Sequence, residues 1–105
     1  MQSIKCENCN VEIEYQPRGN IIIFCPQCLR CIMFECEYGY GPVTPCYIYL
    51  GDKQIGIVTS DVFNKYYLQS EYFNEKIELK NTYMKALTEA DSIIKSKLME
   101  QWNNK

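Results

Sequence analysis

The sequence contains no histidine among its 105 residues. Serine–histidine triads, cysteine–histidine pairs and His-x-x-x-His metalloprotease helices all need an imidazole, so these catalytic arrangements are excluded. No pair of carboxylates at a useful spacing takes the place of histidine. We therefore name no catalytic residue and expect a protein that is not an enzyme.

Long apolar runs are missing as well. No segment approaches the roughly 20 consecutive apolar residues that a transmembrane helix needs. The first six residues also lack the apolar centre of a secretion signal. We therefore expect no membrane partner and a cytoplasmic location.

The sequence also lacks a basic cluster. It has 11 Lys and Arg against 13 Asp and Glu, with a net charge of −2 and a pI of about 5.1. Affinity for nucleic acid depends mostly on clustered lysine and arginine, so this charge disfavours a nucleic-acid partner. Nucleic-acid binding stays an alternative if the fold gathers Lys5, Arg18, Arg30 and Lys53 on one face.

What the chain does have is seven cysteines, all in its first half. The odd number and the paired C-x-x-C spacing argue against a framework of disulfide bonds. Free thiols fit the reducing cytoplasm. The cysteines are Cys6, Cys9, Cys25, Cys28, Cys31, Cys36 and Cys46.

Two cysteine pairs have the spacing of a metal site, namely Cys6-x2-Cys9 and Cys25-x2-Cys28, separated by 15 residues. Cysteines three positions apart in a tight turn can both direct their sulfur at one ion, and four thiolates bind Zn²⁺ tetrahedrally at about 2.3 Å. The sequence therefore predicts one Zn²⁺ per chain. Because iron also accepts four thiolates, a rubredoxin-like electron carrier remains an alternative.

The second pair of ligands has a competitor, because Cys28 and Cys31 also form a C-x-x-C motif. Cys25 is preferred because it directly follows a predicted strand and because Pro26 fits a tight turn. Cys31 stays an alternative ligand at this point. The leftover cysteines Cys36 and Cys46 are interpreted as small buried hydrophobic residues.

The residues between the pairs indicate a β-hairpin. Residues 11–15 alternate apolar and polar side chains, residues 16–20 form a turn signal with Pro and Gly, and residues 21–24 are β-branched and aromatic. The two cysteine turns would then lie at the ends of this hairpin.

On the paired cysteines and the Cys25-Pro26-Gln27-Cys28 turn, the chain resembles the zinc ribbon superfamily over about residues 4–31. The resemblance implies a structural zinc ion but no particular activity, because zinc ribbons occur in transcription factors, ribosomal proteins, inhibitors and accessory domains of enzymes. The layout is also similar to that of small bacterial anti-sigma factors and, more loosely, of phage-encoded inhibitors. Abundant Ile, Lys, Asn and Tyr are typical of an AT-rich bacterial or phage source.

The middle of the chain predicts a loop and a second hairpin. Residues 38–45 contain two Gly and two Pro, and strands are predicted at 46–50 and 54–58. Tyrosine beside glycine is a common pairing at contact surfaces. Tyr38 and Tyr40 are therefore candidates for a partner surface.

The remaining residues predict a helix from about Ser60 to Trp102, with Asp61 in its first turn and a break at 81–82. Apolar residues recur there at helical spacing. Leu87, Ile94 and Leu98 are candidates for a partner surface or a homodimer contact, with an ordinary intramolecular core as the alternative.

Together these patterns predict an α+β fold in one compact unit. Its parts are a zinc ribbon at 1–31, a Gly/Pro/Tyr loop with a β-hairpin at 32–58, and a helical region at 59–105. The predicted function is that of a small zinc-binding regulator or adaptor that acts through protein–protein contacts. An inhibitor of a transcription or nucleic-acid enzyme is the narrower form of this hypothesis.

Overall fold

The computed structural model describes residues 2–16, 20–35, 45–61, 63, 65–80 and 82–103. Within these ranges the chain forms eight strands and one helix, so the predicted α+β class is confirmed. The elements are β1 (Gln2–Lys5), β2 (Glu12–Tyr15), β3 (Asn20–Phe24), β4 (Cys31–Glu35), β5 (Cys46–Leu50), β6 (Lys53–Ser60), β7 (Tyr66–Ser70), β8 (Ile77–Glu78) and α1 (Tyr83–Asn103).

The strands form a six-stranded sheet with the order β4-β3-β5-β6-β7-β8 and a separate two-stranded sheet of β1 and β2. Strands β3 and β5 are parallel, and every other neighbouring pair is antiparallel. The predicted second hairpin is confirmed, because β5 pairs with β6 across a short turn.

Strand β3 lies in the middle of the molecule, with other elements covering both faces. Ile22 and Phe24 belong to a core shared with α1, which we call the helix-side core. Ile21 and Ile23 belong to a second core shared with Ile13 of β2, which we call the hairpin-side core. Because both faces of β3 are buried, its sequence is a continuous apolar run without polar alternation.

The predicted partner surface on the helix is wrong. Leu87 and Ile94 are fully buried and Leu98 is 4% exposed, because all three pack in the helix-side core against the six-stranded sheet. The apolar stripe of α1 therefore serves the intramolecular core, as the alternative interpretation held. Tyr38 and Tyr40, the other candidates, lie outside the described residues.

The prediction of helix between Ser60 and residue 80 is also wrong. Strand β6 continues to Ser60, and β7 and β8 follow before the helix begins at Tyr83. In β7 the buried positions are Tyr66, Leu68 and Ser70, which is the two-residue period of a strand. The error arose because the aromatic side chains are three and four residues apart, which is also the spacing of a helical stripe. The helix begins at Tyr83, directly after the break predicted at 81–82.

Asp61 has the chemistry expected of a helix cap, but it stabilises a hairpin loop instead. Its carboxylate accepts hydrogen bonds from the backbone N–H of Phe63 at 2.9 Å and of Lys65 at 3.1 Å. The hydroxyl of Tyr67 donates a third at 3.1 Å. The amide of Lys65 is the main reason why the pKa of Asp61 lies below its ordinary value. This carboxylate therefore fixes the connection between β6 and β7.

The predicted hairpin of residues 11–24 does not form. Strand β2 pairs with β1, and β3 pairs with β4 and β5. The reason is that each cysteine turn closes a hairpin of its own.

Among the described residues, no helix is long and apolar enough to cross a membrane.

Asp91 interrupts the packed side of α1 with a carboxyl group. Its Oδ1 atom is buried without a hydrogen-bond partner in the described part of the chain. Burial raises its pKa above the ordinary value, whereas Cys31 and Lys95 oppose that shift. The folded protein therefore holds a proton on Asp91 more tightly than the unfolded chain does.

Asp91→Asn is expected to raise the free energy of unfolding at neutral pH. The parent should lose stability as the pH rises from about the ordinary value of 3.8 through the raised pKa, because ionisation is penalised only in the folded state. Urea denaturation at several pH values, expressed as variant minus parent, measures this directly and cancels any effect of acid on the metal centre.

Asp61→Asn is the matched control with the opposite sign. Because the pKa of Asp61 is lowered in the folded state, its contribution is present at neutral pH and disappears on acidification. This variant should be less stable than the parent at pH 7 and should approach it at low pH. The same pH trend for both variants would contradict the assignment.

Candidate metal centre

The first cysteine turn connects β1 to β2. The N–H of Cys6 donates to the carbonyl of Val11 at 2.9 Å, and the N–H of Asn10 donates to the carbonyl of Cys6 at 2.8 Å. Asn10 adopts a positive φ of 61°, which asparagine tolerates better than most residues. The turn therefore folds back tightly enough for Cys6 and Cys9 to direct their sulfurs to the same side.

The second cysteine turn connects β3 to β4 and repeats this geometry. The N–H of Cys25 donates to the carbonyl of Arg30 at 2.8 Å, and the N–H of Leu29 donates to the carbonyl of Cys25 at 2.8 Å. Leu29 has a φ of 63°, a conformation that costs a branched residue roughly 1–2 kcal/mol. Because Leu29 is buried in the helix-side core, its packing offsets that strain.

The two turns bring four sulfur atoms together. The Sγ atoms of Cys6, Cys9, Cys25 and Cys28 all lie within 4.8 Å of one another, and those of Cys6 and Cys28 are 3.6 Å apart. Sulfurs at the corners of a tetrahedron around Zn²⁺ at about 2.3 Å would be roughly 3.8 Å apart. The cluster therefore has the size and the ligand set of a four-thiolate metal site, as the sequence predicted.

The acidities of these thiols show that the cluster holds little negative charge on its own. The backbone N–H of Arg30 stabilises a thiolate on Cys28 and lowers its pKa to about 6. Hydrogen bonding to Cys28 is the main reason why the pKa of Cys9 rises to about 12. Burial raises the pKa of Cys25. A divalent cation would favour the thiolates of Cys9 and Cys25, so metal binding would release protons there.

The surroundings of the cluster also suit a thiolate-bound metal. Backbone amides of Gln27 and Cys28 bond to the sulfur of Cys25 and lower its pKa, against the effect of burial. Cys6 and Cys25 are 1% and 0% exposed, respectively, whereas Cys9 and Cys28 are half-buried. With four protein ligands, such a site leaves no coordination position for a reacting water.

Cys31 lies outside the cluster, and the second pair that joins Cys6 and Cys9 is Cys25 with Cys28. Cys31 begins β4, and its thiol donates to the carbonyl of Met33 at 3.4 Å. Burial is the main reason why the pKa of Cys31 rises to about 12, and the charge of Asp91 adds to this effect. Cys46 is fully buried in the helix-side core, as predicted, and Cys36 lies outside the described residues.

A glycine that the sequence indicated only as a turn residue supports the second cysteine turn. Gly51 has a φ of 64°, and its N–H donates to the carbonyl of Phe24 at 2.9 Å. A Cβ atom at Gly51 would lie 3.3 Å from Cγ of Pro26. The β5–β6 turn therefore packs directly against the metal-binding turn, and no local sequence signal reports this contact.

Of the four cations considered for nucleic-acid binding, only Lys5 and Arg30 lie beside the same cleft in the described part of the chain. Lys5 and Arg30 line one cleft of about 420 Å³ beside the cysteine cluster. Lys53 is engaged elsewhere, in an ion pair with Glu71 at 3.2 Å. Arg18 lies outside the described residues.

No protein-family model, no curated protein and no solved structure matches this chain. The resemblance to a zinc ribbon therefore rests on the four-cysteine cluster and on the two equivalent turns that hold it.

Cys9→Ser is expected to abolish tight metal binding, whereas Cys31→Ala should retain one metal ion per chain. Structural zinc contributes roughly 10–16 kcal/mol of apparent binding free energy in small peptides, so losing a ligand should also destabilise the turns. Native mass spectrometry gives the stoichiometry, and circular dichroism reports folding. Metal loss in Cys31→Ala with retention in Cys9→Ser would show that the cluster is assigned wrongly.

Gly51→Ala should lower the free energy of unfolding by about 1 kcal/mol, because alanine is strained at positive φ. Gly51→Asn should cost less, since asparagine adopts this conformation more readily. Denaturant unfolding of the zinc-loaded proteins measures both. If the two variants cost the same, the contact with Pro26 rather than the backbone angle dominates, and the double variant with Pro26→Ala should then recover the loss.

Proposed function

We propose that this protein is a zinc-stabilised binding module that acts through contacts with another protein. The observation that carries the proposal is the closed cluster of four cysteines. A metal with four protein ligands holds the fold together and offers no open position for substrate. The metal is thus structural, and the protein acts by recognition and not by catalysis.

Zinc is the metal proposed for this cluster. It has no geometric preference of its own and accepts the tetrahedral arrangement that two C-x-x-C turns create. A rubredoxin-like iron centre needs the same four thiolates. Elemental analysis separates the two metals, and a coloured protein with reversible redox behaviour would replace the proposal with electron transfer.

The loop between β6 and β7 supplies a contact surface that the sequence did not reveal. Phe63 is 78% exposed on a loop that Asp61 holds by two backbone hydrogen bonds. The backbone N–H of Asp61 also donates to the carbonyl of Lys65 at 3.0 Å. The hydrogen bond from the N–H of Phe63 to Asp61 restrains the backbone of this residue, and an aromatic side chain on a restrained backbone is typical of interface hot spots.

The net charge of −2 supports a partner with a basic surface. Four thiolates around a divalent cation add two further negative charges. Enzymes of transcription and nucleic-acid processing have such basic surfaces, because they neutralise phosphates. We propose this class of partner, and nucleic acid itself is the second candidate because Lys5 and Arg30 share a cleft.

A photo-crosslinking amino acid in place of Phe63 tests the contact. In lysate of the source cells, the zinc-loaded protein should form one saturable crosslink. An excess of unmodified protein should compete, whereas the Phe63→Asp variant should compete at least about tenfold less well. The same crosslinker at Lys85, an exposed position on α1, is the control.

If the Phe63→Asp variant competes for the crosslink as well as the parent protein does, Phe63 is not part of an interface. Salt-dependent binding of a labelled oligonucleotide at micromolar protein, without a protein crosslink, would favour the nucleic-acid alternative.

A further inference from the structure

A cleft of about 420 Å³ lies beside the metal centre, between the first cysteine turn and the beginning of β4. Its lining includes Lys5, Arg30 and Glu7, together with Ile4 and Ile32, which are half-buried and also pack against the hairpin-side core. Its volume falls within the usual range for pockets that bind small ligands or a few residues of a peptide.

Both cations of the cleft are available to a ligand. Lys5 and Arg30 are exposed, and neither forms an ion pair within the described part of the chain. Lys5 lies opposite Glu12 in the β1–β2 register, yet their side chains make no ion pair. In a chain of net charge −2, this cleft is a place where positive side chains lie together.

The charges of the cleft favour a ligand with few negative groups. Glu7 offsets one of the two cations, and the neighbouring four-thiolate centre is itself anionic when a divalent metal is bound. A nucleic acid brings a phosphate at every step and would meet both repulsions. A segment with one carboxylate and apolar neighbours meets the same two cations with far less repulsion.

The backbone at this cleft can also bind an extended chain. Cys31 and Ile32 belong to β4, which is an edge strand of the six-stranded sheet in the described part of the molecule. The main-chain groups on the outer side of an edge strand can pair with an added strand, a common way of binding peptides.

We propose that this cleft binds an extended, largely apolar segment of the partner protein that carries a single carboxylate. One carboxylate of that segment lies between Lys5 and Arg30, and the aliphatic side chains beside it pack on Ile4 and Ile32. The segment pairs along the edge of β4. This inference rests on the proposed function, because it names the chemistry of the segment that a protein partner contributes.

A random octapeptide library displayed on mRNA provides the test, with zinc-loaded protein as the immobilised target. The enriched peptides should contain Asp or Glu beside Leu, Ile or Val. Synthetic fluorescent copies should bind with a Kd that Arg30→Glu or Lys5→Glu raises at least about tenfold. Lys85→Glu, an exposed charge reversal on α1, should leave the Kd unchanged.

Arg30→Gln is a control for the case in which the Arg30→Glu variant misfolds. The backbone of Arg30 takes part in the second cysteine turn through its carbonyl, and this substitution leaves the backbone in place. It should retain one metal ion per chain while weakening peptide binding. Weakening together with metal loss would show that Arg30 acts through the centre and would overturn its role in the cleft.

The remaining outcomes separate this inference from the proposed function. Peptides that bind the Arg30 and Lys5 variants as tightly as the parent would overturn the cleft while leaving a protein-binding module intact. No enrichment of acidic peptides would overturn the cleft as well, and the Phe63 crosslink would then decide the function independently. Arg30-dependent binding of oligo-dT without peptide binding would overturn both in favour of nucleic acid.

Discussion

The constraint on which this structure depends is that four thiols share a space in which each sulfur lies within 4.8 Å of the others. Hydrogen bonding to Cys28 is the main reason why Cys9 holds its proton tightly, while the backbone amide of Arg30 favours a thiolate at Cys28. A divalent cation bound by these sulfurs would exchange protons for metal–sulfur bonds. The arrangement of the four sulfurs is therefore compatible with a metal centre.

The remaining architecture follows from placing these thiols on two hairpins that belong to different sheets. The second cysteine turn follows β3, a strand one position from the edge of the six-stranded sheet, where α1 covers one face and the β1–β2 hairpin covers the other. The turn of β5 and β6 then buttresses the metal site through Gly51 and Pro26. The two surfaces proposed for recognition, Phe63 and the cleft of Lys5 and Arg30, lie outside these cores.

Local chemistry was readable from the sequence, whereas long-range pairing was not. The C-x-x-C spacing identified the four clustered cysteines, and the apolar run at 21–24 identified β3, because both signals are contained in a few consecutive residues. The predicted pairing of β2 with β3 was wrong. Two strands separated by a turn signal do not reveal that a cysteine turn before β2 pairs it with β1 and that a cysteine turn after β3 pairs it with β4. The helix predicted for residues 60–80 was wrong because aromatic side chains three and four positions apart also fit a helix. The two-residue period of a strand is imposed only when β7 pairs with β6. The burial of Leu98 likewise depended on the sheet that α1 covers.

The separation into two sheets gives the metal a mechanical role. No backbone ladder joins the β1–β2 pair to the six-stranded sheet in the described part of the chain. The hairpin-side core connects the two, and a metal ion bound by the four cysteines would add a second connection. Without the metal, the small hairpin could lift away while α1 and the large sheet kept the helix-side core intact. Ile21 and Ile23 would then face water, and an apolar patch of this kind promotes self-association. If the proposed metal is bound, its supply would in this way control the solubility of the protein as well as its shape.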